Sequence, residues 1–400
     1  MGRPLALEAK RLLQADMENI CLENIQACIL VSMLSAGNCN IASEALFIRM
    51  AISMAQIMKL ESVANDETCP VTVCETARLV CWTLCLSHHR CFSGLGLPCR
   101  SDEFRPTCEL PMDELAFASL APDQARLGTP RKTGIWAHMV TLVRLSGPVM
   151  MLNRRVAERP AAPEELDTAV REIEQQLQEW LECLPPDTQM TVPNLYRQQQ
   201  NGLGALFVVL HLTFHYYSIL LYFSFLESQQ DNAPPSSSAG GRSCPYVDRC
   251  KHHASAFGGL LHLSRQLDGC QISYPGFSHM ITVSSAVLLH TLLLGDEGEI
   301  GDARRGLNAN FESLVELQQP WPATTAVIGR LMKFQRTCLL STQSHKVDGW
   351  MLRFLLDFAV GLEDRYSASG SPLQNTEDYA EISRARELRK SGRYTDFDAL

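Results

Sequence analysis

The sequence predicts an all-α protein, a large helical bundle in which a Ser/Pro/Gly-rich loop separates two helical halves. Apolar residues recur every three or four positions through most of the chain, which is the spacing of one helix face. Alternating runs bounded by hairpin turns, the usual sign of strands, are hard to find. The 400 residues are 46% hydrophobic, so the chain can bury a sizeable core.

An amphipathic helix is predicted in residues 163–186, PEELDTAVREIEQQLQEWLECLPP. Charged residues occupy one face, and Pro185-Pro186 ends the pattern because proline cannot continue a helix. Such a helix docks one apolar stripe on a core. The stripe consists of Leu166, Val170, Ile173, Leu177, Leu181 and Leu184.

Turn residues divide the other helical segments. Gly37-Asn38 lies between two apolar periodic runs and predicts a helical hairpin. Gly147-Pro148 should break the helical pattern of residues 133–159, because proline removes a backbone donor.

Two polar segments stand apart from the periodic pattern. Residues 227–249 are rich in Ser, Pro and Gly, and we expect a mobile surface loop there. Residues 1–366 are predicted to form one domain, and residues 367–400 a polar, partly disordered tail. Both polar segments are candidates for regulatory contacts, because mobile segments tolerate ordering by a partner.

Two uncharged runs, residues 201–226 and 270–295, reach the length of about 20 residues that a membrane-spanning helix needs. Both runs contain histidines and hydroxyl side chains, and neither has the basic flank of a membrane span. A helix that is apolar all round also occurs at the centre of a large bundle. We therefore expect buried core helices and no membrane contact.

The charge and the cysteines narrow the class of protein. A net charge of −9 argues against a surface that follows phosphate backbones, which requires clustered Lys and Arg. The first residues lack an apolar leader with a cleavage site, so we expect the 15 cysteines to be reduced and intracellular.

Residues 75–111 hold five cysteines and two adjacent histidines, which suggests metal or thiol chemistry. This stretch has no CxxC pair, whereas structural zinc sites usually place two ligands close together on a turn. Thr72 and Glu75 have capping-box spacing and predict the start of a helix that contains Cys81 and Cys85, one turn apart. This spacing favours packing over a metal site.

Other catalytic and metal-binding motifs are incomplete or are not found in the sequence. His211 and His215 share a helix face, but Leu212 stands where the zinc motif HExxH has glutamate. The sequence shows no nucleophile elbow, no phosphate-binding loop and no dinucleotide fingerprint. We expect no catalytic residue, no cofactor and no metal ligand. The alternative is a Cys/His-rich all-α enzyme or metal-binding protein.

The same stretch can be compared with a family signature, a helix that carries Glu, Arg and Trp in this order and is followed by a Gly/Pro loop. It resembles the fungal-specific transcription factor domain, the middle regulatory region of fungal zinc-cluster transcription factors. The residues that carry the resemblance are Glu75, Arg78, Trp82, Arg90, Gly96 and Pro98.

The resemblance continues in order along the chain, over about residues 20–340. The family's A-xx-A-xx-MGLH helix precedes the signature, and an uncharged LH-xx-YH helix, a C-xx-AA helix and a W-P-x-A element follow it. The matching segments are SEALFIRMAISMAQIMKLES, LHLTFHYYSILLYF, CKHHASAFGGLLHL and WPATTAVIGRLM.

This chain also departs from the family. Thr83, His89 and Leu97 replace the second Trp, the acidic residue and the Arg of the signature. The family's six-cysteine zinc cluster and basic linker are not found in this sequence. DNA recognition would therefore come from a partner or from missing upstream sequence.

The resemblance implies an all-α regulator of transcription in the nucleus, without a catalytic centre. It implies a protein partner or a homodimer, and a small-molecule effector that no residue identifies. A role specific to one biosynthetic gene cluster, in secondary metabolism, is a further hypothesis.

Overall fold

Helices account for the fold. This computed structural model describes residues 2–95, 104–121, 132–158, 163–226, 245–340, 349–357 and 386–395. These ranges contain sixteen α-helices, a further helical segment at 386–390, and no β-strand, which confirms the all-α prediction. The helices are α1 (Gly2–Ala15), α2 (Leu22–Gly37), α3 (Ile41–Ile57), α4 (Leu60–Asn65), α5 (Val71–Gly94), α6 (Glu114–Ala118), α7 (Ile135–Val143), α8 (Ser146–Glu158), α9 (Pro163–Glu182), α10 (Val192–Gln200), α11 (Gly204–Tyr222), α12 (Pro245–Arg265), α13 (Phe277–Leu294), α14 (Glu297–Gln318), α15 (Ala323–Leu340) and α16 (Gly349–Leu356).

The predictions from turn residues are confirmed, whereas the capping box is not, because Thr72 lies inside the first turn of α5, which begins at Val71. Helices α2 and α3 pack as the expected hairpin, and the Asn40 side chain caps α3 by accepting from the Ser43 amide at 3.1 Å. The segment around Gly147-Pro148 is divided into α7 and α8. Helix α5 begins next to the predicted start. Helix α9 ends before the two prolines.

Buried side chains form two hydrophobic cores. Helices α1 to α5 surround the first core, together with Phe104, Cys108 and Val140. The second core is larger and extends from α7 to α16. Leu86 of α5 and Trp136 of α7 pack against both cores. The helices therefore form two groups, one around each core, which meet along α5 and α7.

Among the described residues, three helical stretches have the length and the hydropathy of a membrane span: Ile135–Glu158, Gly204–Phe225 and Phe277–Leu294. In the second and third, 83% and 89% of the apolar window is buried inside the protein. The two uncharged runs are thus centred on helices α11 and α13 of the second core, as expected. Their burial explains why they carry no charge. The absence of membrane contact stays a prediction.

The predicted loop at 227–249 is wrong at its C-terminal end. Helix α12 already begins at Pro245, because proline suits the first turn of a helix. Tyr246 anchors this turn: its hydroxyl donates to Asp167 at 2.6 Å, and its ring centroid lies 4.6 Å from that of Phe225. Residues 227–244 lie outside the described residues.

Part of the polar tail packs on the second core. Leu388 and Tyr394 contact its apolar surface. Gln335 donates to the carbonyl of Thr395 at 2.9 Å, and Arg393 donates to that of Gly295 at 2.8 Å. Residues 386–395 therefore depart from the expected disorder, and the rest of the tail lies outside the described residues.

Candidate functional site

Signature residues on helix α5 form a buried ion cluster. Arg78 is 1% exposed, and its Nη1 donates to Oε2 of Glu75 at 3.1 Å. Its Nη2 lies 3.2 Å from a carboxylate oxygen of Glu109. The other oxygen of Glu75 accepts from the Met112 amide at 2.6 Å. The cluster therefore ties α5 to the segment after the Gly/Pro loop.

Trp82 and Arg90 extend the same bracing role. The Trp82 indole donates to the carbonyl of Glu109 at 3.0 Å. Arg90 forms an ion pair with Glu44 of α3 and lies 5.6 Å from the ring centroid of Tyr274. Arg90 thus forms its ion pair with a carboxylate on another helix. In the signature that this stretch resembles, an acidic residue precedes the arginine, and here that position is His89. Of the predicted signature residues, Gly96 and Pro98 lie outside the described residues.

The cysteines of this stretch are packing residues where the structure describes them. Cys81, Cys85, Cys91 and Cys108 are all buried. A hydrogen bond with Cys108, together with burial, raises the pKa of the Cys81 thiol, and the same hydrogen bond lowers the pKa of Cys108. Burial raises the pKa of Cys91 to about 12. Raised pKa values keep these two thiols protonated and unreactive at neutral pH.

His211 and His215, which share a face of α11, contact different partners. Nε2 of His211 lies 3.0 Å from the carbonyl oxygen of Thr188, whereas Nδ1 of His215 lies 2.9 Å from Nδ1 of His253. One ring of the second pair must donate and the other accept, so both can be satisfied when neutral. Burial lowers the pKa of His215 to about 3 and that of His253 to about 4. Within the described ranges no group of three His, Cys, Asp or Glu residues could hold a metal ion.

A cavity of about 740 Å³ lies where the two cores meet. This volume is within the range of small-molecule sites, roughly 300–1,000 Å³. Helices α2, α3 and α5 of the first core form one wall, and α7, α8, α11, α13 and α15 form the other. Apolar lining residues include Met33, Leu86, Trp136, Met139, Val143, Met150, Val209, Phe277, Met280 and Val327.

Charged groups on the first wall of the cavity neutralise each other. Glu44 and Arg90 both line the cavity and form the ion pair described above. Tyr274 completes this end, with the Arg90 guanidinium over its ring. This end of the cavity therefore offers little net charge to a ligand.

The second wall carries two cations. Arg330 and Lys333 lie one turn apart on α15, and both line the cavity. Arg330 is 9% exposed, and its Nη2 donates to the carbonyl of Phe354 at 2.6 Å. Burial lowers the pKa of Arg330, and the nearby charge of Asp357 opposes this shift. No aspartate or glutamate of the described lining residues lies on this wall.

Hydrogen-bonding groups accompany these cations. Tyr216 of α11 is 6% exposed and lines the cavity. Its hydroxyl makes no hydrogen bond with another residue in the described part of the chain. The ring of His279 lies 5.9 Å from that of Tyr216 and hydrogen-bonds the backbone of Leu355. Tyr216 is thus a buried donor on an open apolar site.

Sequence patterns did not indicate this cavity, because its lining residues come from helices far apart in the chain. One local signal exists on α15. Ala323, Ala326 and Gly329 are followed by two cations on an otherwise apolar helix, and all five residues line the cavity. Small residues leave space beside a helix, so this pattern is compatible with a cavity wall.

Comparison with models of protein families, with curated proteins and with solved structures finds no match to this chain. No relative therefore assigns a role to the cavity. Its chemistry follows from the side chains that line it.

Proposed function

We propose that the protein is a regulator of fungal transcription whose helical body binds a small-molecule effector in the cavity between its two cores. The observation that carries this proposal is the cavity itself, which is large, mainly apolar and lined by both cores. The ordered resemblance to the fungal-specific transcription factor domain supports the regulatory role. DNA recognition is assigned to a partner or to a segment upstream of this sequence.

The position of the cavity suggests how an effector acts. The two cores contact each other directly beside it, for example where Arg90 lies over the Tyr274 ring. Gly37 of α2 packs against the indole of Trp321, which precedes α15. A ligand that contacts both walls adds contacts to this junction and favours one arrangement of the two groups of helices. A partner that recognises that arrangement would then bind more tightly.

A reporter gene tests this proposal. The full chain is fused to an unrelated DNA-binding domain and expressed in a fungal cell, with Gly329→Trp as the cavity-filling variant. A Cβ at Gly329 meets no atom within 4 Å, so the indole can enter the cavity without displacing the backbone. We expect reporter output to change severalfold, in either direction, relative to the wild type.

Gly259→Trp is the matched control. Gly259 lies inside α12, away from the cavity lining, and a Cβ there also meets no atom within 4 Å. The substitution and the loss of glycine flexibility are the same in both variants. Equal reporter output from the wild type and both variants would contradict the proposed regulatory role of the cavity.

Metal analysis tests the alternative of a Cys/His-rich enzyme or metal-binding protein. Stoichiometric zinc in the purified protein, lost on replacing His211 and His215, would support that alternative. The contacts of these two rings favour the regulator, since His211 approaches a carbonyl and His215 approaches another histidine.

A further inference from the structure

From the one deeply buried hydroxyl that is left without a partner on its walls, we infer that the cavity binds a neutral apolar carbonyl compound, whose carbonyl oxygen accepts a hydrogen bond from Tyr216. This inference rests on the proposed function, because it names the chemical class of the effector. Three features carry it: the apolar lining, the pairing of the charged lining residues within the protein, and the open hydroxyl of Tyr216.

The lining of the cavity sets the character of the ligand's body. Aliphatic and aromatic side chains from both cores make up most of this lining, such as Met139, Val209 and Phe277. Apolar surface of a ligand that leaves water for such walls is stabilised in proportion to its area. A polar body would lose its hydration without finding partners there. The body of the ligand must therefore be mainly apolar.

The four charged residues of the described lining are already engaged within the protein. Glu44 and Arg90 form an ion pair. Arg330 donates to a backbone carbonyl at 2.6 Å and is subject to the charge of Asp357, and Lys333 also has a partner of its own. An ionic head group would lose its hydration or break these interactions, and both are costly. The cavity thus favours a neutral ligand.

Tyr216 of α11 provides the polar contact. Its hydroxyl makes no hydrogen bond in the described part of the chain. The hydroxyl oxygen is not among the buried polar atoms that lack a partner, so solvent reaches it although the residue is only 6% exposed. Because Tyr216 lines the cavity, this access comes from the cavity. A ligand in the cavity can therefore contact the hydroxyl.

Other hydroxyls of the lining have less need of a ligand. Burial raises the pKa of the neighbouring Tyr217, and a hydrogen bond with Ser146 opposes that shift. Three further lining hydroxyls belong to residues that are only half-buried and open to solvent: Thr83, Ser87 and Tyr274. Tyr216 is therefore the residue most likely to reward a matching ligand group with affinity.

The chemistry of a phenol then selects the ligand group. Burial raises the pKa of Tyr216, so the hydroxyl keeps its proton at neutral pH and can donate it in a hydrogen bond. A carbonyl oxygen accepts this bond and brings no hydrogen that needs an acceptor of its own. An alcohol or an amine would add such a hydrogen to walls that are mainly apolar. A carbonyl group therefore fits the hydroxyl best.

Calorimetry with three matched probes tests the inference. 2-Acetylnaphthalene, 2-isopropylnaphthalene and 2-naphthoate share one aromatic body and the same number of heavy atoms, and their side groups are a carbonyl, a hydrocarbon and an anion. We expect 2-acetylnaphthalene to bind the full-length protein with a stoichiometry of one. We expect its affinity to exceed that of 2-naphthoate by at least about tenfold, because the anion would lose its hydration without meeting an unpaired cation.

Tyr216→Phe removes the hydroxyl and keeps the ring. It should weaken the binding of 2-acetylnaphthalene by at least about fivefold, the effect of one hydrogen bond, and leave the binding of 2-isopropylnaphthalene unchanged. Unchanged binding of the hydrocarbon also shows that the variant keeps the shape of the cavity. The control is Tyr222→Phe, because Tyr222 lies on the same helix, donates to Glu174 at 2.8 Å and does not line the cavity. This control should leave the binding of all three probes unchanged.

Three results would overturn the inference: no binding of 2-acetylnaphthalene, binding of 2-naphthoate with equal or higher affinity, or a Tyr216→Phe variant in which the affinities for the ketone and the hydrocarbon change by the same factor. These failures are separate from a failure of the proposed function. If Gly329→Trp changes reporter output while 2-acetylnaphthalene does not bind, the carbonyl class is wrong and the regulatory cavity stands. If 2-acetylnaphthalene binds as expected while the reporter never responds to Gly329→Trp, the regulatory role is wrong.

Discussion

Two buried arginines in this protein have opposite surroundings. Arg78 of α5 lies between two carboxylates, Glu75 and Glu109, inside the family-like signature. Arg330 of α15 donates to a backbone carbonyl and faces a cavity. The first guanidinium is held by ion pairs away from the cavity, whereas the second lies on the cavity wall. Arg78 therefore helps to hold the fold together, whereas Arg330 lies on the wall of the cavity that we propose as a ligand site.

The largest effect on stability is expected at the ion cluster of Arg78, Glu75 and Glu109. Arg78→Met removes the cation from a buried pair and leaves Glu75 charged at 1% side-chain exposure. Breaking such a pair costs about 3–5 kcal/mol of unfolding free energy, which urea denaturation measures. Arg171→Met is the control, because the Arg171 side chain is 72% exposed and should leave stability unchanged. If the Arg78 variant loses less than about 1 kcal/mol of unfolding free energy, the ion cluster does not stabilise the fold as proposed.

For the arginine on the cavity wall we expect a smaller loss of unfolding free energy than for Arg78. Arg330→Met removes the hydrogen bond to the carbonyl of Phe354 and the contact of the guanidinium with the Phe354 ring. We expect it to cost about 1–2 kcal/mol, less than the Arg78 variant. The same urea titrations compare the two. Equal losses would remove the distinction between the ion-paired arginine and the arginine on the cavity wall.

The junction between the two cores can be tested at Gly37. A Cβ at this position would lie 2.7 Å from Cζ3 of Trp321, whose indole is held by a hydrogen bond to the carbonyl of Ser273 at 2.7 Å. We expect Gly37→Ala to cost about 1–3 kcal/mol because the rigid ring cannot yield. Gly147→Ala should cost nothing, since a Cβ at Gly147 meets no atom within 4 Å. Equal stability of the two variants would contradict a tight junction.

The histidine pair of the second core predicts a pH dependence. Folded-state pKa values of about 3 for His215 and about 4 for His253 lie below the unfolded value, so the unfolded chain binds more protons. Stability is therefore full above pH 6.5 and falls as the pH decreases toward 3. His215→Phe should reduce the slope by about 1 kcal/mol per pH unit between pH 6 and 4.

The control for that slope is His262→Phe. His262 is exposed on α12, and its replacement should leave the slope unchanged. His252 and Arg249 also face the pair and lower the pKa of His253, so the measurement requires constant ionic strength. An identical slope for the wild type and the His215 variant would contradict the burial of this histidine as a neutral ring.

Sequence periodicity predicted the helices well and the cavity not at all. Helices α5 and α9 follow from local caps and apolar stripes, which are properties of single segments. The partner of Arg90 is Glu44, 46 residues earlier, and no local pattern identifies such a pair. The cavity depends on how eight helices are placed, so it appears only after packing.

Composition was also misleading at one boundary. Polar residues up to Arg249 suggested loop, whereas Tyr246 packs on Phe225 and starts α12 at Pro245. The contact of one aromatic residue with the core decided the helix start there. Tertiary packing of this kind routinely overrides local composition.

Equilibrium dialysis with added 2-acetylnaphthalene tests the central claim most directly, that the cavity between the two cores is a ligand site. Wild type, Gly329→Trp and Gly259→Trp are compared at one probe concentration. The account predicts one 2-acetylnaphthalene per chain on the wild type and on Gly259→Trp, and at least about tenfold less on Gly329→Trp, whose indole fills the apolar space. Equal occupancy of all three proteins by the probe would contradict it.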